Sequence, residues 1–460
     1  MSTTFPTAID VYTNPTPTSK RNSPSLAQAQ TDQNDAIIAN ETKIGTGNST
    51  ATSGKLLRGT GAGTSAWDKT APAGAIVGDT DSQTLTNKTI STGSALDANA
   101  DPNFTYHALS RQALINGNFD IWQRAITSNS YVGVLTCDRF GMYGTADGGT
   151  YPTLTQSRQV VTPEELPGSF YHFRLAPNGA GTSLGANSLL ELFQKIENGA
   201  RLLAGSGKQV TLSFMARSSI TGKKIGCELG QNYGTGGTPT AGETINGESW
   251  TLTSTWTRYS HTFTTNTLSG KTFGTDNNDF LAIEIWFQWG ASQKTRVGAA
   301  TAEDFVGSGT IDIAQIQLCA GSAALPFQPK SFSDELEVCQ RYYEKSYPYA
   351  TAVGASLGGM EAANFIANGI WYSSTVTAST DRRRAISQFK VSKRATPTVV
   401  YYDLAGTASK VTSLDTNGAY VADGITETYQ AVAANTECVY GNTAANLAGF
   451  CCHWTASAEL

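Results

Sequence analysis

Residues 111–327 read as a succession of short alternating segments broken by Gly, Asn and Pro: LINGNFDIWQ, YHFRLAP, QVTLSFMARS, KKIGCELGQNY, WTRYSHTFTT, LAIEIWFQWG and TIDIAQIQLC. A period of two sends one set of side chains to a core and the other to water, which is strand behaviour. Many short strands with regular turn signals predict a β-sandwich. Phe170, Leu212, Phe214, Ile283, Ile285 and Phe287 are its expected core. SLLELFQKIENGARLL, residues 188–203, is predicted as a helical interruption. In LINGNFDIWQR, Asn116–Gly117 is expected to turn the chain into the sandwich. Ile115, Phe119 and Ile121 would then alternate inward as a first strand, with Asn118, Asp120 and Trp122 facing the other way.

Composition agrees with an all-β chain. Charged residues make up only 15% of the sequence, against the roughly 25% usual for soluble domains. Polarity comes instead from hydroxyls and amides, and 46 glycines supply turns. A net charge of −5 gives no electrostatic footprint for nucleic acid. The cysteines Cys137, Cys227, Cys319, Cys339, Cys438, Cys451 and Cys452 are odd in number and irregularly spaced, with no CxxC. They read as buried thiols of a protein made in a reducing compartment. MSTTFPTAIDVYTNPTP lacks the basic start and apolar stretch of a signal peptide. No run approaches the 18 or so apolar residues of a membrane span, so no membrane insertion is expected.

The remainder of the chain divides by texture. Residues 1–24 are rich in Thr, Pro, Asn and Ser, and Phe5, Ile9, Val11 and Tyr12 are the apolar anchors with which they would dock on a partner. Residues 24–45 predict a helix, with Ser23 as N-cap, Pro24 as first residue and Gly45 as stop. Gln30, Gln33, Ile37, Asn40 and Ile44 recur at coiled-coil spacing, although an amphipathic helix lying on a partner fits the same pattern. From 46 to 102 the chain is Gly/Thr/Ser-rich, with LLRGTGAGTSAWD and GDTDSQTLTNKTI as its firm points. TLTNKTI reads as a strand too polar to bury a core unless several copies wrap together. SDELEVCQRYYEKS, residues 333–346, predicts a short helix starting after Ser333, and residues 347–460 a compact β-rich domain.

Catalytic vocabulary is sparse, and no enzyme is expected. His107, His172, His261 and His453 lack ligand-spaced neighbours. GASLG, residues 354–358, matches G-x-S-x-G, with Ser356 as nucleophile and Asp403 and His453 following in hydrolase order. That chemistry requires YPYATAV as the strand before the nucleophile and MEAANFIAN as the helix after it. Glu284 and Asp312 are the candidate carboxylates for glycoside cleavage, or polar residues of the alternation. Alternation in LAIEIWFQWG puts Leu281, Ile283, Ile285, Phe287 and Trp289 on one face and Ala282, Glu284, Trp286 and Gln288 on the other. An indole at Trp286 between Glu284 and Gln288 suits stacking on a sugar ring, and equally suits packing against a neighbouring domain or subunit. Trp250, Trp256 and Tyr233 are further candidates for carbohydrate. DRRR, residues 381–384, reads as a solvated loop or a contact for an anionic surface.

The ordered set of segments resembles bacteriophage virion fibre proteins of the tail-fibre, receptor-binding type. FPTAIDVYTNPTPTSKRNSPSLAQAQTDQNDAIIANETKIG resembles their particle-attachment segment, and DSQTLTNKTI a short element of their shafts. LINGNFDIWQR, QKIENGARLLAGSGKQVTLSFMARS, DIAQIQLCAGSAALPFQPKS and ELEVCQRYYEKS resemble a carbohydrate-binding-module-like jelly roll with its following helix. FKVSKRATPTVVYYD and WTASAEL are similar to the closing domain of that group. The resemblance implies a mainly β, elongated homotrimer: an attachment segment with a short helix (1–45), a shaft (46–110), a jelly-roll sandwich (111–330), a linking helix (331–346) and a β-rich tip (347–460). It implies a virion protein made in the host cytoplasm, bound through its N-terminus to a tail, baseplate or portal/neck protein and recognising a host-surface glycan. A structural calcium near the first strand is also implied, with Asp120 and Asp312 as candidate ligands, and no other cofactor. The alternatives are a fibre with depolymerase or esterase activity and a purely structural head or neck appendage or adaptor.

Overall fold

The computed structural model describes residues 26–44, 55–61, 64–70, 112–133, 135–356, 370–373, 383–415, 420–426, 438–443 and 449–460. The chain divides into two compact units, Met1–Ala95 and Leu96–Leu460. In the first, the predicted helix is present as α1 (Leu26–Ile44), and the polar stretch after it holds an antiparallel hairpin of β1 (Lys55–Gly61) and β2 (Thr64–Thr70). Gln30, Gln33 and Asn40 lie exposed on α1, and Ile37 is 41% exposed. Phe5, Ile9, Val11, Tyr12, the side chain of Ile44 and TLTNKTI lie outside the described residues.

The second unit begins with the expected two-sheet jelly-roll sandwich. One sheet, in the order β10-β9-β12-β7-β4, is made of β4 (Gly141–Thr145), β7 (Leu189–Glu197), β9 (Lys224–Asn232), β10 (Glu243–Thr251) and β12 (Phe280–Trp289). The facing sheet, in the order β11-β8-β13-β6-β5-β3, is made of β3 (Thr127–Ser128), β5 (Thr153–Val160), β6 (Tyr171–Asn178), β8 (Gln209–Ser218), β11 (Thr257–Thr264) and β13 (Ile311–Ala320). Strand alternation builds the core as the sequence predicts: Val210, Leu212, Phe214 and Ala216 of β8 meet Leu281, Ile283, Ile285 and Phe287 of β12. Each large side chain so buried contributes roughly 1.5–3 kcal/mol.

Three expectations are corrected. Residues 189–197 are a strand, and only Gly199–Leu203 form a short helix, α2. Leu190 and Leu192 point into the core while β12 and β4 pair with β7 on either side, so sheet pairing overrides the helical texture of the segment. Phe170 is 76% exposed, because β6 starts after it and Phe173 and Leu175 are the inward residues. The opening segment is no alternating strand: Asn116 and Phe119 have φ of 59° and 57°, and Phe119, Asp120, Ile121 and Trp122 are all buried. Asn116 binds Ile121 through both ends of its amide and also reaches the Asp138 carbonyl, so it acts as a buried clasp. Gly117 lies flat on β13, where a Cβ would come within 2.0 Å of the Ile316 carbonyl oxygen.

After the sandwich, α3 (Phe332–Gln340) is capped by the Ser331 side chain, which accepts from the Asp334 N–H at 3.2 Å. The cap therefore lies two residues before the expected Ser333, and the predicted last turn of the helix is instead β14 (Tyr343–Lys345). Strand β14 joins β15 (Ile370–Ser373), β17 (Thr398–Tyr402) and β18 (Lys410–Leu414) around a central β21 (Gly449–Ser457), with β19 (Tyr420–Thr426) beyond β18. A separate antiparallel pair joins β16 (Arg383–Gln388) to β20 (Cys438–Thr443), which places Arg383 and Arg384 of DRRR in a strand, the rest of that run lying outside the described residues. Tyr401, Val411, Phe450, Cys452 and Trp454 form the core here. Cys137, Cys227, Cys339 and Cys451 are buried free thiols, and Cys319 and Cys452 are buried as well.

Candidate functional site

The outward face of the five-stranded sheet gathers the residues with chemical potential. Tyr143 on β4 lies opposite Glu191 on β7, and Glu191 opposite Trp286 on β12. One row along, Gly141 lies opposite Phe193, Phe193 opposite Glu284, and Glu284 opposite Glu228 on β9. The next row holds Lys195, Ala282 and Gly230. The sandwich puts these residues outside because their neighbours Leu190, Leu192, Leu229, Ile283 and Ile285 face the core. Glycines keep the face low. The Phe193 ring lies over Gly141, where a Cβ would come within 2.6 Å of it, and a Cβ on Gly230 would stand 3.2 Å from the Glu284 carboxylate.

One end of this face is closed by a 3-10 turn at Lys294–Val297. Val297 packs with Trp286 and Trp289, and the Arg296 guanidinium stands 4.7 Å over the Trp286 ring. Arg296 also grips Glu228, with Nε 2.6 Å from Oε2 and Nη2 bonded to Oε1. Such a two-point contact fixes both partners in orientation. Trp286 is consequently fully buried and forms the floor of the site; it is not an open stacking platform. Tyr143, 44% exposed, and half-buried Phe193 are the rings that face solvent.

Three carboxyl groups share this face with one guanidinium. Burial first, and the charges of Glu284 and Glu228 next, push the Glu191 carboxyl up to about 9. Burial and then Glu228 push Glu284 up to about 7. At neutral pH Glu191 is a protonated acid, so the face offers hydrogen-bond donors beside acceptors. Flat rings flanked by such groups match the apolar C–H face and polar edge of a sugar.

The other residues singled out in the sequence fall elsewhere. A bulge between Trp286 and Gln288 shifts the register, so Gln288 turns inward and binds Tyr151 Oη and Ser188 Oγ. The same bulge sends Trp289, expected in the core row, to the Trp286 side. Trp250 caps the core edge-on to Phe214, with ring centroids 5.7 Å apart. Tyr233 is fully buried and donates to Glu243. Trp256 sits on the opposite sheet, edge-on to His172 and 4.6 Å beneath the Arg217 guanidinium.

Asp312 is not placed to hold calcium. Arg174 donates to both of its oxygens at 2.6 and 2.9 Å, Arg217 donates at 2.9 Å, and His172 lies 3.4 Å away, so a divalent cation would meet two guanidiniums that already hold the carboxylate. Burial, the largest single influence, would raise its pKa, yet the contacts from Arg174, His172 and Arg217 together outweigh burial and hold it far below the usual carboxylate range. Asp120 lies apart from it, with Oδ2 bound by Asn118 and Oδ1 unpartnered. Among the described residues no group of three or more His, Cys, Asp or Glu is arranged to hold a metal ion.

The hydrolase pattern does not assemble. YPYATAV forms turns and not a strand, Ser356 is exposed, and MEAANFIAN lies outside the described residues. His453 is fully buried, with Nδ1 2.9 Å from Ser346 Oγ, while Asp403 accepts from the amides of Thr407 and Gly424.

Tyr143, Glu191, Phe193, Glu228 and Arg296 were not visible as site residues from the sequence. Glu191 and Phe193 were hidden by the helical reading of 188–203. Glu228 was in reach, because Gly226, Glu228 and Gly230 alternate with buried Cys227 and Leu229 in KKIGCELGQNY.

No protein-family model matches the sequence, and no curated protein matches it. Solved structures similar to the chain include the enzymatically active domain of bacteriophage CBA120 tailspike protein 4, at 11% identity over 46% of this chain and TM-score 0.25; the match spans 22% of that protein's length. The N-terminal cellulose-binding domain of Cellulomonas fimi β-1,4-glucanase C matches 39% of this chain and 96% of its own at 16% identity and TM-score 0.23. A family 11 carbohydrate-binding module from Clostridium thermocellum, in complex with a β-1,3-1,4-mixed-linked tetrasaccharide, matches 43% of this chain and 97% of its own at 14% identity and TM-score 0.24.

Proposed function

We propose that the chain is a structural fibre of a bacteriophage virion, gripping the particle through its N-terminal segment and presenting the outer face of the five-stranded sheet to a glycan on the host surface. The observation that carries this reading is the pair of adjacent rows Tyr143–Glu191 and Phe193–Glu284, where an exposed ring, a half-buried ring and carboxyl groups of mixed protonation lie side by side on a rigid sheet. The ordered resemblance of the sequence to virion fibres supports the remainder: a homotrimer joined to a tail, baseplate or neck protein. A shallow face of this kind suits weak single contacts, and repetition over a trimer and over several fibres multiplies them into firm attachment.

The test is adsorption. Added full-length protein should block adsorption of the parent particle to host cells in a dose-dependent way, and Tyr143→Ala should weaken the block. Folded protein that leaves adsorption unchanged would turn the assignment toward a structural appendage.

A second reading has one specific observation in its favour. Glu191 and Glu284 are a pair of neighbouring carboxyls with pKa values pushed up to about 9 and about 7, the condition of a general acid at neutral pH. Glycoside cleavage on this face would release reducing ends from host polysaccharide, and Glu284→Gln would abolish the release. Polysaccharide left intact by the wild-type protein leaves binding alone.

A further inference from the structure

A second concave surface lies away from the sheet face, where the sandwich meets the strands that follow α3. Two adjoining clefts, of about 430 and 260 Å³, share Arg158, Tyr171 and Tyr349 as lining residues and so form one groove. Its walls are aromatic. Tyr349 is held on both sides, with its hydroxyl accepting from the Trp122 N–H at 2.9 Å and donating to the Asp120 carbonyl at 3.2 Å. Phe332 stands edge-on to it at 5.1 Å. Apolar groups around the groove face solvent: Phe170 is 76% exposed, Ile126 53% and Phe332 47%.

Two charged groups in this groove are incompletely paired. The Arg158 guanidinium lies 4.4 Å over the Tyr171 ring and has no carboxylate partner among the described residues. Asp120 lines the same groove; its Oδ2 accepts from Asn118, while its Oδ1 is buried and has no hydrogen-bond partner. A buried acceptor left unmatched is costly, and the groove lets a ligand supply the missing donor. Lys330, paired with Glu335 at 3.5 Å, and Lys345, whose ammonium donates to the Tyr349 and Thr351 carbonyls, line the groove as well, which leaves the Arg158 guanidinium as the cation there without an ion-pair or hydrogen-bond partner among the described residues. The occupant that satisfies all of this carries an anion for Arg158, a hydroxyl donor for Asp120 and an apolar ring face for the aromatic walls.

We infer that this groove binds an acidic saccharide, a sugar bearing a carboxylate. Arg158 takes the sugar carboxylate, Asp120 Oδ1 accepts from a ring hydroxyl, and Tyr171, Tyr349 and Phe332 flank the C–H faces. The sheet face plays no part in this binding, so the inference stands or falls separately from the function proposed above.

The test is calorimetric titration of the full-length protein with trigalacturonate and with sialyllactose, each against its neutral counterpart, the trigalacturonate methyl ester and lactose. At least one acid should bind, with its counterpart at least tenfold weaker. Arg158→Ala should weaken the acid at least tenfold. Asp120→Asn, which keeps shape but replaces an acceptor by an amide, should weaken acid and counterpart alike, with the thermal midpoint retained to show that the fold survives. Val306→Ser, at an exposed residue that belongs to neither surface, should leave the affinity unchanged. Three results would overturn the inference: binding of neither acid, equal binding of acid and counterpart, or wild-type affinity in Arg158→Ala. A second copy of the chain as occupant would appear in sedimentation as an oligomer dissociated by Phe170→Ser, together with no saccharide binding, and that result also contradicts it.

Discussion

Glu191 shows how the site and the stability of the chain are coupled at the scale of one residue. Its carboxyl has an ordinary value of 4.5 and is pushed up to about 9 in the folded chain, chiefly by burial. The folded state therefore holds a proton that the unfolded state has released, and stability falls as pH rises through that window. Glu191→Gln removes the penalty: chemical denaturation at pH 8 should show a gain of roughly 1–3 kcal/mol, shrinking toward pH 5. A variant equally stable at both pH values would mean that Glu191 is ionised in the fold. Asp312 is the opposite case, a carboxylate whose positive surroundings keep it charged. Asp312→Ala would leave Arg174 and Arg217 facing each other without their counter-ion, at a cost of about 3 kcal/mol measured by denaturant unfolding. Neither environment is written in local sequence. Asp312 looks like any polar residue of an alternating strand, and its partners come from β6 and β8, well over a hundred and nearly a hundred positions away respectively.

At the scale of elements, strands with clean alternation were legible and those with an interruption were not. β8 alternates throughout, and its inward residues Leu212 and Phe214 are the ones expected. β12 alternates only as far as Trp286, where the bulge moves Gln288 inside and Trp289 outside. A single extra residue reverses every face after it, and nothing in LAIEIWFQWG marks the place. β13 repeats the event between Ala314 and Gln317, where Gln315 has φ of 51° and the inward row passes from Ile313 to Ile316. β7 failed for a different reason: LLELFQKIE has as good a helical rhythm as a strand rhythm, and only its neighbours β12 and β4 decide. The opening segment depends on the β13 bulge too, since the Ile316 N–H donates to the Gly117 carbonyl. Gly117→Ala should therefore lower stability by about 2 kcal/mol or more in thermal unfolding, because backbone and not a flexible side chain stands in the way. An unchanged midpoint would show that this close approach is not needed.

At the scale of the second unit, the sandwich and the strands around β21 are joined by charge and hydrogen bonds as well as by chain. Glu459 pairs with Arg124 at 2.9 Å and also with Arg139, and Arg341 reaches Glu197 at 2.8 Å. Arg139 is 4% exposed, so loss of its partner strands a buried charge. The two parts should unfold in one calorimetric transition, and Glu459→Ala should split it or lower it by several degrees. A wild-type profile with two separated transitions would show two independent bodies. The sequence located the sandwich and its mainly β partner, and for a carbohydrate surface it offered Glu284, Trp286 and Gln288 on one strand with Trp250, Trp256 and Tyr233 as further candidates. The structure gathers the candidate face instead from four strands, because a sheet face is assembled from residues distant in sequence, and Trp286 becomes its floor. The central claim is that this face recognises a glycan, and direct titration of the full-length protein with host surface polysaccharide tests it. Wild-type protein should bind, and the double variant Tyr143→Ala/Phe193→Ala, folded with an unchanged midpoint, should bind at least tenfold more weakly. Equal affinity in the folded double variant would contradict the account.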